Sequence, residues 1–140
     1  MSEAPKVIKL ELCAPQRELI ELDVAEVVVP GAAGVFTVQY DHTPLLTTLT
    51  QGTLIAYGMD KSKRFVAVNG GFAEVRDNRV VVLTDTMESA DKIDVKRAES
   101  ARDRAESRIR KPSEDTDVAR AEVALRRALA RIRTAERIEY

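Results

Sequence analysis

Phe72-Ala73-Glu74-Val75-Arg76-Asp77-Asn78-Arg79-Val80-Val81-Val82-Leu83-Thr84 is the most telling stretch of this 140-residue chain. Two runs suited to extended backbone, Phe72 to Arg76 and Val80 to Thr84, flank Asp77-Asn78. Asn and Asp tolerate the positive φ that a tight two-residue turn needs. The stretch therefore predicts a β-hairpin. Gly70-Gly71 just before it could be taken for an anion-binding loop. A lone pair of glycines ahead of a strand reads better as a bulge or a close backbone approach.

Upstream, similar segments recur about every ten residues, the spacing of an all-β sandwich or barrel. Strands are expected at Arg64 to Val68, Thr53 to Tyr57 and Leu45 to Thr50. Val35 to Gln39 follows the Ala32-Ala33-Gly34 loop, and the β-branched run Val24 to Val29 is stopped by Pro30-Gly31. Ile8, Leu10 and Leu12 alternate with Lys9 and Glu11, giving one buried and one wet face. Ala14-Pro15-Gln16-Arg17 then turns the chain.

Downstream the period changes. All six glycines lie at or before Gly71. Residues 1–86 carry 8 basic and 11 acidic groups, residues 87–140 carry 14 and 12, and 11 of those 14 are Arg. Val118, Ala121, Leu125, Ala128, Ile132 and Ala135 form a heptad seam along one helix face. Ala98, Ala101, Ala105 and Ile109 give a narrower seam before it. Lys111-Pro112-Ser113 ends the first helix, and Glu114, Asp115 and Asp117 sit at the positive dipole end of the second. So short a turn makes the helices antiparallel. Glu106 with Arg110 and Glu122 with Arg126 are expected i,i+4 pairs. The fold class is thus a β-sandwich at 1–86 followed by a C-terminal antiparallel α-helical hairpin at 87–140. Because Ala buries little apolar area, the hairpin should be marginally stable and able to detach from the sandwich, or to rearrange into a longer extended form, without melting it.

A net charge of -1 gives no reason to expect nucleic acid as a partner. No stretch approaches the length of a membrane span, and Met1 to Lys9 lacks the features of a signal peptide. Cys13 is the one cysteine, so no intrachain disulfide and no multi-cysteine metal site is expected. Phosphate-loop, nucleophile-elbow and zinc-helix motifs are missing, and no catalytic or metal-binding residues are assigned. His42, the one histidine, reads as a loop residue in the turn Asp41-His42-Thr43-Pro44. Arg97 and Arg104 share a face of the first helix, as do Arg127 and Arg131 of the second. Guanidinium forks suit phosphate, although spacing alone equally describes a solvated face or one that meets an acidic partner.

At this point the sequence resembles the epsilon subunit of bacterial F-type rotary ATP synthases, the counterpart of the mitochondrial delta subunit. Asp41-His42-Thr43-Pro44-Leu45-Leu46-Thr47 stands in place of that family's G-H-x-P-L-L-T, and Asn69-Gly70-Gly71-Phe72-Ala73-Glu74-Val75 resembles its x-G-G-[FI]-x-E-V. Val80 to Asp85 leads on to Ile93-Asp94-Val95-Lys96-Arg97-Ala98, similar to the I-D-x-x-R-A motif of members that bind ATP. The family usually has Gly where this chain has Thr37 and Asp41, and Pro where it has Tyr40.

The resemblance implies a non-catalytic rotor subunit, peripheral on the cytoplasmic face of the bacterial membrane and associated with it only through the complex. The sandwich would contact the gamma subunit and the c-ring, with His42 near those contacts. The hairpin would inhibit ATP hydrolysis by extending toward the alpha and beta subunits. No cofactor is required, but ATP is a possible regulatory ligand. The positions corresponding to the nucleotide site are Glu88, Ile93, Asp94, Arg97, Ala98, Arg104, Arg127 and Arg131. The alternative from another class is a free-standing sandwich module that homo-oligomerises through its helices.

Overall fold

The computed structural model describes residues 4–15 and 19–140. Gln16 and Arg17 of the expected first turn lie outside these.

The hairpin expected at Asp77-Asn78 forms, with φ of 50° and 58° at the two turn residues and Arg76 opposite Arg79. It joins β7 (Phe72–Arg76) to β8 (Arg79–Leu83). The strands before it are β1 (Ile8–Cys13), β2 (Ile20–Gly31), β3 (Gly34–Val38), β4 (Leu45–Thr48), β5 (Gln51–Gly58) and β6 (Lys63–Asn69). A short β9 (Met87–Ser89), absent from the sequence reading, pairs with β6. Three residues are too few to carry a recognisable alternation.

The strand order is β4-β7-β8-β1-β2-β5-β6-β9, with β3 also on β2. Only β1 and β8 run parallel among the described pairs, with Lys9 opposite Arg79. β2 serves both halves of the sheet. Its residues Ile20 to Val24 pair with β1, and the stretch from Val24 onward pairs with β5 and β3, across a register shift between Val24 and Glu26. The bulge lets the strand bend, so the two halves face each other as a sandwich. Their inner faces share one aliphatic core that includes Leu10, Leu12, Val27, Leu54, Val66, Val75 and Val82.

Gly71 shows why the glycine pair precedes β7. Its φ is +98°, and a Cβ there would run into the Leu83 carbonyl. The close backbone approach read from the sequence is therefore present, and a side chain could not replace it.

Helix α1 (Val95–Arg110) begins at Asp94, whose carboxylate accepts the Arg97 N–H at 3.1 Å. Helix α2 (Val118–Ala135) begins the same way at Asp117, which accepts from Arg120 at 3.0 Å. Each cap satisfies an orphan donor of the first turn. The helices pack on each other, and α2 also packs on β5 and β6. Ala98, Ala105, Ala121, Ala128 and Ile132 are buried as the seams require, whereas Val118 is 39% exposed. Thr134, off the seam, is fully buried because α2 has a second covered face toward the sheet. Neither Glu106–Arg110 nor Glu122–Arg126 closes as an ion pair; on a wet helix face such pairs gain little over hydration.

Candidate functional site

β5 and β6 differ from ordinary amphipathic strands. Thr53 to Ala56 and Phe65 to Val68 are all buried, so both faces of this part of the sheet are covered. The inner face meets the sandwich core, and the outer face meets α2 and the 3-10 turn Ala90–Lys92. Polar and charged side chains collect along this junction.

Glu88 on β9 and Arg131 on α2 form a half-buried ion pair: Nε donates to one carboxylate oxygen at 3.0 Å and Nη2 to the other at 3.3 Å. Beside the pair lies a cavity of about 280 Å3, lined by Gln51, Asn69, Thr86, Glu88, Arg127 and Arg131 among others. That volume is at the lower edge of ligand sites, which run from about 300 Å3 upward. Arg127 makes no ion pair among the described residues. One guanidinium is thus held by a carboxylate and the other is available to an anion, with amide and hydroxyl groups beside them.

Of the eight positions implied for a nucleotide, the structure brings Glu88, Arg127 and Arg131 to this cavity. Ile93 and Ala98 are buried in packing. Asp94 is committed to capping α1, and Arg97 and Arg104 are exposed on α1 outside the cavity lining. Gln51, Asn69 and Thr86 were missed by sequence reading. Gln51 faces Asn69 across the β5–β6 ladder, a pairing that no local pattern announces.

A second set of contacts ties the last described residues to the sheet. Thr134 donates its hydroxyl proton to the Ala130 carbonyl at 2.8 Å. Thr53 must therefore be the donor in the 2.7 Å bond between the two buried Thr hydroxyls. The Tyr57 hydroxyl donates to Glu139 at 2.7 Å, and Lys63 lies 3.2 Å from the same carboxylate. Burial first, then the bond and charge of Glu139, push the Tyr57 phenol up to about 12. The Tyr57 bond and then Lys63 hold Glu139 below the usual carboxylate value.

His42 sits half-exposed in its turn, with Nδ1 2.6 Å from the Thr43 carbonyl oxygen. Asp41 has φ +63°, a conformation natural to the Gly that it replaces in the resembled pattern. Its N–H donates to Asn78 Oδ1 at 2.6 Å, tying this loop to the β7–β8 turn. On the same half of the sheet Leu46, Phe72 and Leu83 are 70%, 54% and 52% exposed. Phe72 lies opposite Leu83 and beside Thr48 on neighbouring strands, so the apolar groups gather on one outer face. Exposed apolar side chains gathered on one face are a candidate protein contact. Among the described residues no cluster of three or more His, Cys, Asp or Glu could hold a metal.

Residues 7–90 match the family model for the ATP synthase delta/epsilon chain β-sandwich domain, and residues 91–136 match that for the delta/epsilon chain long α-helix domain. An ATP synthase epsilon chain of Pelotomaculum thermopropionicum is 47% identical over 106 residues, 76% of this chain and 78% of that one. That of Desulforamulus reducens is 44% identical over 104 residues, 74% and 78% of the two chains. A chain in the cryo-EM structure of the Euglena gracilis mitochondrial ATP synthase superposes with a TM-score of 0.80 at 25% identity, covering 92% of this chain and 81% of that one.

Sandwich and hairpin together define a class, the small two-part subunits of rotary ATP synthases. The chain belongs to the ATP synthase delta/epsilon chain family.

Proposed function

We propose that this chain is a non-catalytic rotor subunit of the central stalk, coupling the catalytic head to the c-ring, with a hairpin that restrains ATP hydrolysis. The observation that carries the reading is the pairing of an exposed apolar sheet face at Leu46, Phe72 and Leu83 with an arginine-rich hairpin laid on the opposite half of the sheet. The apolar face suits docking on gamma, with the Asp41–Thr43 loop and His42 toward the c-ring. The hairpin's basic face suits an acidic segment of beta and its neighbouring alpha subunit. No helix among the described residues is long and apolar enough to cross a membrane. We infer a peripheral position on the cytoplasmic face, held through the complex alone.

ATP fits this reading as a regulatory ligand, not as a required cofactor. Arg127, with Arg131 and Glu88, is the centre of the proposed response, because these residues share one cavity. A phosphate entering there competes with Glu88 for Arg131. A ligand moves the hairpin only through a difference in affinity between the folded and released states.

The test is an assembled ATP synthase carrying the chain without residues 91–140. Faster ATP hydrolysis with assembly and proton pumping intact is expected. Unchanged hydrolysis would remove the regulatory role, and a complex that couples normally without the whole chain would remove the rotor role. Calorimetric titration of the intact chain with ATP should lose its heat in Arg127→Ala and keep most of it in Arg97→Ala.

A further inference from the structure

The β2–β5 ladder stops short, and a side chain from beyond α2 completes it. Val27 faces Ala56 and Val28 faces Ile55, so the same register sets Pro30 opposite Thr53. Proline has no N–H to give, and the Pro30 carbonyl is taken by the Thr50 N–H at 3.0 Å. Thr53, fully buried, is left with a backbone donor and acceptor that β2 does not satisfy. The Tyr140 hydroxyl takes both: it accepts from the Thr53 N–H at 2.9 Å and donates to the Thr53 carbonyl at 2.8 Å.

The surroundings are shaped to this hydroxyl. A Cβ on Gly52 would lie 2.7 Å from the Pro30 Cβ and 3.1 Å from the Tyr140 oxygen, so only glycine leaves the opening. The Arg133 guanidinium covers the Tyr140 ring at 5.4 Å from its centroid and donates from Nη2 to the Glu139 carbonyl at 3.0 Å. Its Nε is buried with no hydrogen-bond partner among the described residues. That orphaned donor is tolerated in exchange for placing the cation on the ring. One residue before, Tyr57 and Lys63 hold the Glu139 carboxylate.

We propose that the β5 edge at Gly52–Thr53 is a recognition slot for a tyrosine hydroxyl, with Tyr57 and Lys63 as the subsite for the preceding carboxylate, and that its filling by Glu139–Tyr140 holds the hairpin on the sheet. The ligand class is an acidic–aromatic pair supplied in cis. When the hairpin leaves, Thr53 exchanges two fixed backbone partners for water at once, and the net gain of the two made bonds is lost. The slot therefore sets the balance between seated and released hairpin, whether or not the hairpin acts on hydrolysis.

The experiment is amide hydrogen exchange on the full chain and on Tyr140→Phe, which keeps the ring and removes the hydroxyl. Exchange of the Thr53 amide and of residues 118–135 should rise about tenfold, with β1 and β8 amides unchanged. Tyr57→Phe should give a smaller rise, about two- to threefold, at the same positions. Unchanged exchange of residues 118–135 in Tyr140→Phe would overturn the proposal. An equal rise across β1 and β8 would overturn it too, since the hydroxyl would then support the whole fold and not the seat of the hairpin.

Discussion

The two faces of β5 and β6 are both buried, yet they are held by different forces. Toward the inside, Leu54, Ala56, Val66 and Val68 meet a continuous aliphatic core. Toward α2, the same strands present Thr53, Ile55, Phe65 and Ala67, and the partners include Thr134, Tyr140 and Glu139. The inner face is non-directional and grows with area. The outer one depends on a few hydrogen bonds, each of which is either made or lost. A strand pair can thus carry one face as a continuous apolar core and the other as a small set of separable bonds.

The largest break in this contrast comes from the inside. Leu54→Ala should cost about 2–5 kcal/mol and lower the thermal midpoint of sandwich and hairpin together, as followed by circular dichroism. Thr134→Val comes next. It removes the acceptor for the buried Thr53 hydroxyl and should cost about 1–3 kcal/mol, with faster exchange confined to residues 118–135. Asp117→Ala deletes the cap of α2 and should cost about 1 kcal/mol, visible as lost helical signal on heating with the sheet intact.

The smallest effect is that of pH on the outer contact. Glu139 titrates lower in the folded state than its ordinary 4.5, so its contribution is present above that value and lost as pH falls through the folded one. Tyr57 moves from 10.0 to about 12, so its contribution is present below 10 and lost as pH rises toward 12. Protection factors for residues 118–135 should stay level between these limits and fall outside them. A slope near neutrality would mean that another group governs the seat.

The elements most legible in the sequence are those with local causes. The Asp77-Asn78 turn, the acidic start of the second helix at Asp117 and the close approach at Gly71 each follow from a few neighbouring residues. What stayed hidden is the second burial of β5 and β6. Phe65-Val66-Ala67-Val68 gives no hint of which apolar face meets strands and which meets a helix, because hydrophobicity does not name its partner. Glu88 and Arg131 were singled out through resemblance, but their ion pair joins β9 to α2 across much of the chain. Thr53 looked like any β-branched strand residue. Its role comes from Pro30 standing opposite, a fact of register that appears only once β2 and β5 are aligned.

The parallel pairing of β1 with β8 bears on how the protein is made. Leu10 cannot gain its neighbour Val80 until the ribosome has added the roughly 70 intervening residues. At about 5–20 residues per second that is a delay of roughly 4–14 s. During that interval the earliest strand has only β2 beside it, and its other edge, with Ile8, Leu10 and Leu12 close by, is open to any extended chain nearby. The newborn polypeptide is most vulnerable to sticking before its eighth strand emerges, and a chaperone that shields the first strand would act in that window.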